Sequence, residues 1–140
     1  KHFVAKLKKM AKGYPIEIIT NPRFNYLKQL YGRAKIFWTA AGFGINEDKE
    51  PEKVEHFGIT TVEAMAAGCV PVVIRKGGQP EIVNEGKNGL LWEKVEELAE
   101  KTASLIKEPK ILAELARVTQ KRAADFSEKR FCQELKEIIK

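Results

Sequence analysis

The residues best suited to chemistry are two glutamates, Glu55 and Glu63, eight positions apart in the stretch EHFGITTVEAMAAG. The first lies in a predicted loop, and the second lies in the opening turns of the predicted helix that follows. Gly58, between them, lets a ligand approach the backbone closely because it has no side chain. The free amides at the start of this helix, together with the positive end of its dipole, predict an anion site.

A carboxylate also suits a vicinal diol, because its two acceptor oxygens can each take a hydrogen bond from one of two neighbouring hydroxyls. Two such carboxylates beside a helix start that binds a diphosphate match the shape of a nucleotide sugar. One carboxylate would hold the ribose and the other would hold the transferred sugar.

The elements that must position these groups alternate between short apolar runs and amphipathic helical patterns. Strands are predicted at residues 16–19, 36–39, 70–74 and 90–92, and helices near 3–11, 24–31 and 58–67. Gly32 is predicted to end the second helix, and three more helical segments follow residue 95. The alternation predicts an α/β layer with a parallel sheet, in which ligands bind beyond the carboxyl ends of the strands.

Charge is uneven along the chain, which has 140 residues and a formal net charge of +6. Residues 1–35 carry nine lysines and arginines against one acid, Glu17. Such a segment either attracts an anionic partner, such as a nucleotide diphosphate or an acidic membrane surface, or is a solvated helix face. Basic residues interleaved with stacking aromatic residues are not evident, so a nucleic-acid partner is not expected.

The two cysteines, Cys69 and Cys132, are interpreted as free thiols, which fits a reducing cytoplasmic setting. No apolar run approaches the length of about 18 residues that a membrane span needs. Trp38 and Trp92 are interpreted as core residues rather than sugar-stacking platforms. One domain of ordinary globular composition is expected over residues 1–140.

The E-x7-E spacing, the F-G after Glu55, the E-A-M-A-A-G helix and the G-G-Q-P-E turn at residues 77–81 together resemble the family 4 glycosyltransferases of GT-B fold. The resemblance covers residues 16–140. The E-H-F-G version, with Asn21-Pro22 upstream, is most similar to mannosyltransferase-like members of that family. The resemblance implies a Rossmann-like three-layer domain with a parallel sheet, truncated from the C-terminal, donor-binding half of such an enzyme.

By that resemblance, Glu55 is the catalytic residue, contacting the donor sugar and stabilising an oxocarbenium-like transition state, and Glu63 binds the ribose hydroxyls. The other implied donor contacts are the amides of Phe57, Gly58 and Ile59 for the sugar, the amides of Thr60 and Thr61 for the diphosphate, and Asn21, Pro22 and Arg23 beside the nucleobase. The implied reaction transfers a hexose of mannose or glucose type from a UDP- or GDP-sugar with retention of configuration. No metal and no other cofactor are implied.

Three further residues, His56, Gly77 and Gly78, are implied as possible supporting groups around the donor. His56 is also interpreted as a capping or loop-stabilising residue, and the two glycines as structural residues that aim the loop. Thr60 and Thr61 would also serve as caps of the helix, which is compatible with their role at the diphosphate.

Two parts of the family pattern are not found in the sequence: a basic Arg–Lys pair that clamps the diphosphate, and an N-terminal domain that binds a lipid-linked or glycan acceptor. The first residue is lysine rather than methionine, so we expect the chain to be part of a longer enzyme and inactive alone. A cytoplasmic location is expected, with peripheral contact at the membrane face as an option. The alternative function is a non-catalytic Rossmann-like module that docks on a partner or an anionic surface.

Overall fold

The computed structural model describes residues 2–139 as a small parallel sheet with helices packed on both of its faces. In chain order the elements are α1 (His2–Ala11), α2 (Phe24–Arg33), β1 (Ile36–Thr39), α3 (Ile59–Ala66), β2 (Val70–Ile74), α4 (Gln79–Ile82), β3 (Leu90–Trp92), α5 (Val95–Lys107), α6 (Pro109–Ala123) and α7 (Glu128–Ile138). Two short 3-10 turns, Pro51–Lys53 and Ala124–Phe126, precede α3 and α7.

The sheet has the strand order β1-β2-β3, and both pairs of neighbours are parallel. Every residue of the central strand β2 is buried, as the continuous apolar run VPVVI predicts for a strand covered on both faces. Because successive side chains in a strand point to opposite faces, Val73 packs in one core, while Val72 and Ile74 pack in the other. The predicted α/β layer with helices on two sides is therefore confirmed.

Helix boundaries follow local chemistry in the second part of the chain. Gly68 has a positive φ of 90° just after α3, the left-handed conformation that commonly closes a helix. Pro109 begins α6, where its missing amide costs no helical hydrogen bond. The Ser127 side chain caps α7 by accepting a hydrogen bond from the Arg130 amide at 3.4 Å.

Two predictions of local structure are wrong, and so is the interpretation of Trp38 as a core residue, because its side chain is 55% exposed. The run Ile16–Ile19 was predicted to be a buried strand, but it forms no ladder with any described strand, and Ile16 is 59% exposed. A β-branched composition favours extended backbone, but a strand needs a neighbour to pair with, and this segment has none within residues 2–139. The second correction concerns Gly32, which lies inside α2 rather than ending it.

Candidate functional site

The loop after β1 and the start of α3 form the centre of the candidate site. Gly58 lies directly before α3 with φ +99°, a left-handed backbone conformation that a side chain would strain. A Cβ at this position would also lie 2.8 Å from Gln79 Nε2, so there is no room for one. Both observations explain why a glycine connects the Glu55 loop to the helix.

Glu55 folds back over the same connection. Its Oε1 atom accepts hydrogen bonds from the amides of Gly58 at 3.1 Å and Phe57 at 3.4 Å. The half-buried carboxylate is thus itself the anion at the approach to α3. The amides of Phe57 and Gly58, which were expected to be open to sugar hydroxyls, are therefore already engaged in this structure.

In the first turn of α3, one backbone amide donates a hydrogen bond within the chain, and two, called open amides below, do not. Thr61 is buried: its amide donates to the Gly58 carbonyl at 3.0 Å, and its hydroxyl donates to Gln79 Oε1 at 3.0 Å. Its side chain therefore supports the turn rather than facing outward. Ile59 and Thr60 are exposed, and within residues 2–139 no acceptor lies against their amides. These two amides are therefore free to donate to a ligand.

The glycine turn after β2 supports the Glu55 loop through the backbone. The Gly78 amide donates to the Glu55 carbonyl at 2.8 Å. A Cβ on Gly77 would lie 2.1 Å from the Glu55 carbonyl oxygen, and one on Gly78 would lie 2.3 Å from that of His56. These close approaches make both glycines supports of the loop, whereas the exposed His56 contacts the turn through its carbonyl.

Glu63 lies one turn further along α3, on its exposed side, and lines a groove of about 330 Å³ between α3 and α2. The groove is mostly apolar, and its other lining residues are Phe24, Leu27, Lys28, Tyr31, Ala66 and Ala67. Burial raises the pKa of the Tyr31 hydroxyl, and the negative charge of Glu63 raises it further. The sequence separates Tyr31 and Glu63 by a strand and a long loop, and the fold brings them together.

The predicted nucleobase residues lead into this groove. Asn21 has a positive φ of 51°, and Arg23 is the N-cap residue directly before α2, with its carbonyl accepting hydrogen bonds from the amides of Tyr26 and Leu27. Phe24, directly after them, lines the groove. Asn21, Pro22 and Arg23 thus precede the groove-lining end of α2.

The two glutamates occupy different positions around α3. Glu63 lines the groove beside α2, whereas Glu55 closes over the amides at the opposite, N-terminal end of the same helix. The structure does not place both carboxylates in that groove, as the expectation of a shared crevice required. The two open amides of Ile59 and Thr60 lie between them along the chain.

Two supporting residues were missed by sequence reasoning. Gln79 is only 1% exposed and bridges Thr61 to the glycine turn, and its position inside the G-G-Q-P-E motif was the signal that it is constrained. Phe126 packs edge-on against Phe57, with ring centroids 5.7 Å apart, and the Arg122 guanidinium lies 4.7 Å from the Phe126 ring. No spacing in the sequence signals these long-range contacts.

A family model described as glycosyl transferases group 1 matches residues 2–125. The chain belongs to this family. The match covers all three strands and the helix start described above, so the Glu55 loop, α3 and the glycine turn lie inside the glycosyl transferase region.

Two curated glycosyl transferases are similar to part of the chain. One is a D-inositol 3-phosphate glycosyltransferase of Rhodococcus opacus, 35% identical over 79 residues, which are 55% of this chain and 18% of the relative. Another is the alpha-1,3/1,6-mannosyltransferase ALG2 of Dictyostelium discoideum, 36% identical over 88 residues, 61% of this chain and 21% of the relative. The matched segments thus span about a fifth of these relatives.

Two solved structures share the fold of this glycosyl transferase domain. The Anabaena protein HepE, solved in complex with UDP-glucose, superimposes with a TM-score of 0.79 at 23% identity, over 99% of this chain and 36% of HepE. The C-terminal domain of the group 1 glycosyl transferase LpcC from Francisella tularensis superimposes with a TM-score of 0.68 at 24% identity, over 88% of this chain and 61% of that one. Both agree with a GT-B type α/β domain.

Two kinds of feature are absent from the described residues. None of the helices within residues 2–139 is both long and apolar enough to cross a bilayer. Nor do three or more His, Cys, Asp or Glu side chains gather there in an arrangement that would hold a metal ion.

Proposed function

We propose that this domain binds a nucleotide-diphosphate sugar at the start of α3 and serves as the donor half of a hexose-transferring enzyme. The carrying observation is the arrangement around one helix: Glu63 beside an apolar groove, and two open amides at the helix start. Family membership supports glycosyl transfer, and the fold similarity to HepE, which was solved with UDP-glucose, supports this donor class.

In this proposal the nucleoside lies along the groove between α2 and α3. Its ribose hydroxyls donate hydrogen bonds to the exposed Glu63 carboxylate, and its base packs near Phe24, after Asn21, Pro22 and Arg23. The flat ring face of a nucleobase suits a groove lined mostly by carbon atoms. Whether the base is uracil or guanine is left to the binding experiment below.

The diphosphate would meet the amides of Ile59 and Thr60 at the positive end of α3. The sugar would then reach the Glu55 loop. For the amides of Phe57 and Gly58 to reach sugar hydroxyls, the Glu55 carboxylate must first leave them. Donor binding would therefore exchange two internal hydrogen bonds for contacts with the ligand.

For the chemical step we propose retention at the anomeric carbon. The bond between that carbon and the diphosphate oxygen breaks, and a bond to the acceptor hydroxyl forms on the same face. A diphosphate oxygen takes the hydroxyl proton. Glu55 and the helix dipole stabilise the charges that develop, without a metal ion. A lipid-linked or glycan acceptor would be bound by parts of the enzyme outside these residues.

The test is calorimetric titration of the domain with UDP, GDP, UDP-glucose and GDP-mannose. We expect weak binding of one nucleotide series, with a Kd of about 0.1–1 mM because one domain closes only part of the site. Glu63→Ala should weaken binding about tenfold or more, since hydrogen bonds to a charged group are lost. Glu114→Ala removes an exposed glutamate from α6 and serves as the matched control.

The outcome of that titration decides the ribose assignment. If Glu63→Ala binds as well as the unaltered chain, the groove is not the nucleoside site. If no nucleotide diphosphate binds at millimolar concentration, the donor function of this domain is rejected.

One observation favours the second candidate, a docking module for an anionic surface. Helix α1 carries Lys6, Lys8 and Lys9 together with the exposed side chains of Phe3 and Met10. This candidate predicts sedimentation with phosphatidylserine vesicles that salt abolishes, and no preference for nucleotides. Equal sedimentation with neutral phosphatidylcholine vesicles, or none with either, would reject it.

A further inference from the structure

The loop that carries Glu55 is held by two aromatic contacts, Phe43 with Trp92 and Phe57 with Phe126, and by hydrogen bonds to the turn after β2. It runs from the end of β1 at Thr39 to the start of α3 at Ile59, and apart from one 3-10 turn it has no regular structure. Loops of this length are mobile unless other parts of the chain hold them. The position of the Glu55 carboxylate therefore depends on what ties the loop down.

The hydrogen bonds come from three consecutive residues of the turn after β2. Lys76 Nζ donates to the carbonyl of Ile45, the Gly77 amide donates to Glu47 Oε2 at 2.9 Å, and the Gly78 amide donates to the Glu55 carbonyl at 2.8 Å. The same turn thus holds the middle of the loop and its catalytic end.

Glu47 differs from the other ties because its side chain supplies the acceptor. The Ile45 and Glu55 carbonyls are present whatever the side chain, so substitution cannot remove them. A carboxylate that accepts from a backbone amide makes a charge-assisted bond, which is stronger than one between neutral groups. Glu47 is exposed, so competition from water weakens this hydrogen bond. The bond still orients the Gly77 amide.

Gly77 and Gly78 connect the two ties directly. They are adjacent, and both lie so close to the loop that a Cβ on either would be within 2.3 Å of a carbonyl oxygen of Glu55 or His56. The Gly77 amide is bound to Glu47, and the next amide, that of Gly78, is bound to the Glu55 carbonyl. Because one peptide unit joins the two amides, the contact at Glu47 is linked to the backbone of Glu55.

We propose that Glu47 is a positioning residue: its carboxylate fixes the Gly77–Gly78 turn, and the turn fixes Glu55 at the donor sugar. This inference rests on the proposed donor function and extends it to a residue outside the E-x7-E stretch. It predicts that Glu47 affects recognition of the sugar and leaves recognition of the nucleoside at Glu63 unchanged.

The first measurement is amide hydrogen exchange at Gly77 and Gly78, followed by NMR, which needs no ligand. Glu47→Ala should accelerate exchange at both amides by about threefold to tenfold, as expected for loss of one exposed charge-assisted bond. Glu47→Gln keeps an oxygen acceptor and should stay near the unaltered chain. Asp48→Ala removes the neighbouring charge and is the matched control.

The second measurement is the ratio of Kd for the nucleoside diphosphate to Kd for its sugar conjugate, for UDP with UDP-glucose and GDP with GDP-mannose. Glu47→Ala should lower this ratio about threefold to tenfold while the Kd of the plain diphosphate stays constant. Glu47→Gln should restore the ratio. A merely structural defect would instead weaken both ligands together.

The two hypotheses fail in different ways. If Glu47→Ala accelerates Gly77 but leaves Gly78 and the sugar ratio unchanged, the positioning role is wrong and the donor function stands. If the unaltered chain binds the diphosphate and its sugar conjugate equally, Glu55 does not contact the sugar and the positioning role is again overturned. If no nucleotide binds at all, both are rejected.

Discussion

Two regions of this domain differ in how far they bury their side chains. Within residues 2–57, the open region, no residue is buried, although the region contains two helices and a strand. Within residues 58–126, the packed region, β2 is buried along its whole length, and α3, α4, β3, α5 and α6 all contribute buried residues. A segment can therefore form regular secondary structure without contributing buried residues to the hydrophobic core.

The candidate site lies where the two regions meet. Glu63, the glycine turn and the start of α3 belong to the packed region, whereas the facing wall of the groove, with Phe24 and Tyr31, belongs to the open region. A ligand in the groove would contact both. The packed region supplies Glu63 and the amides of Ile59 and Thr60, and the open region supplies Glu55 and the apolar wall of the groove.

The largest expected difference between the regions comes from the two methionines of the chain. Met65 is fully buried in α3, and Met10 is 64% exposed in α1. Met65→Ala should lower the free energy of unfolding by about 2–5 kcal/mol, since it leaves a cavity in the core. Met10→Ala should change it by less than about 0.5 kcal/mol. Urea denaturation followed by circular dichroism measures both.

A contrary result would alter the comparison itself. If Met10→Ala costs as much as Met65→Ala, the open region is buried in solution by a second surface. Equal m-values for the two variants would show that the change lies in stability rather than in the compactness of the denatured state.

A second contrast uses two glycines, whose substitution by alanine should change the free energy of unfolding in opposite directions. Gly78 has an ordinary φ of −75°, but an added Cβ would lie 2.3 Å from the His56 carbonyl oxygen and 3.1 Å from Phe57 Cα. Gly78→Ala should destabilise by about 1–3 kcal/mol, as overpacking against backbone usually does. Gly32, inside α2, has nothing within 4 Å of an added Cβ. Gly32→Ala should stabilise by about 0.5–1 kcal/mol, because alanine loses less entropy in a helix.

Thermal unfolding of both variants tests this contrast, with the unaltered chain as reference. A neutral Gly78→Ala would mean that the Glu55 loop can retreat from the turn, and the tight support described for it would then be wrong. A destabilising Gly32→Ala would mean that something packs on that face of α2.

Local patterns predicted most elements because helices and buried strands have periods that a single sequence displays. The strand at Val70–Ile74 and the helix near residues 58–67 are examples, and both are confirmed. The run Ile16–Ile19 has the same β-branched character and is not a strand. A β-branched composition indicates that the backbone can be extended. Strand pairing, however, depends on a neighbouring segment that lies far away in the sequence.

The candidate site shows the same difference between local patterns, which could be predicted, and contacts set by the fold, which could not. The importance of Glu55, Gly58 and Glu63 was predicted because all three lie in one short stretch. The way Glu55 folds onto its own amides, and the tie from Glu47 to Gly77, were not predicted. Hydrogen-bond direction depends on rotamers and loop geometry, which residue spacing does not encode.

The smallest expected effect is a change in the pKa of Tyr31, and it tests the contact between the two regions directly. The negative charge of Glu63 contributes to the raised pKa of the Tyr31 hydroxyl. Glu63→Gln removes that charge and should move this pKa back toward its ordinary value of about 10, while the part due to burial remains. Absorbance of the tyrosinate at high pH measures it, with Tyr31→Phe identifying the signal among the three tyrosines.

The same shift has a consequence for stability. Because the folded chain keeps the Tyr31 proton after the unfolded chain has lost it, the unfolded state binds fewer protons, and stability falls as the pH rises past about 10. Glu63→Gln should make that fall shallower, because it brings the folded pKa closer to the unfolded one. Glu114→Gln, on the exposed side of α6, should leave both the titration and the slope unchanged. If Glu63→Gln also leaves them unchanged, Glu63 points away from α2, and the groove cannot join a ribose at α3 to a base at α2.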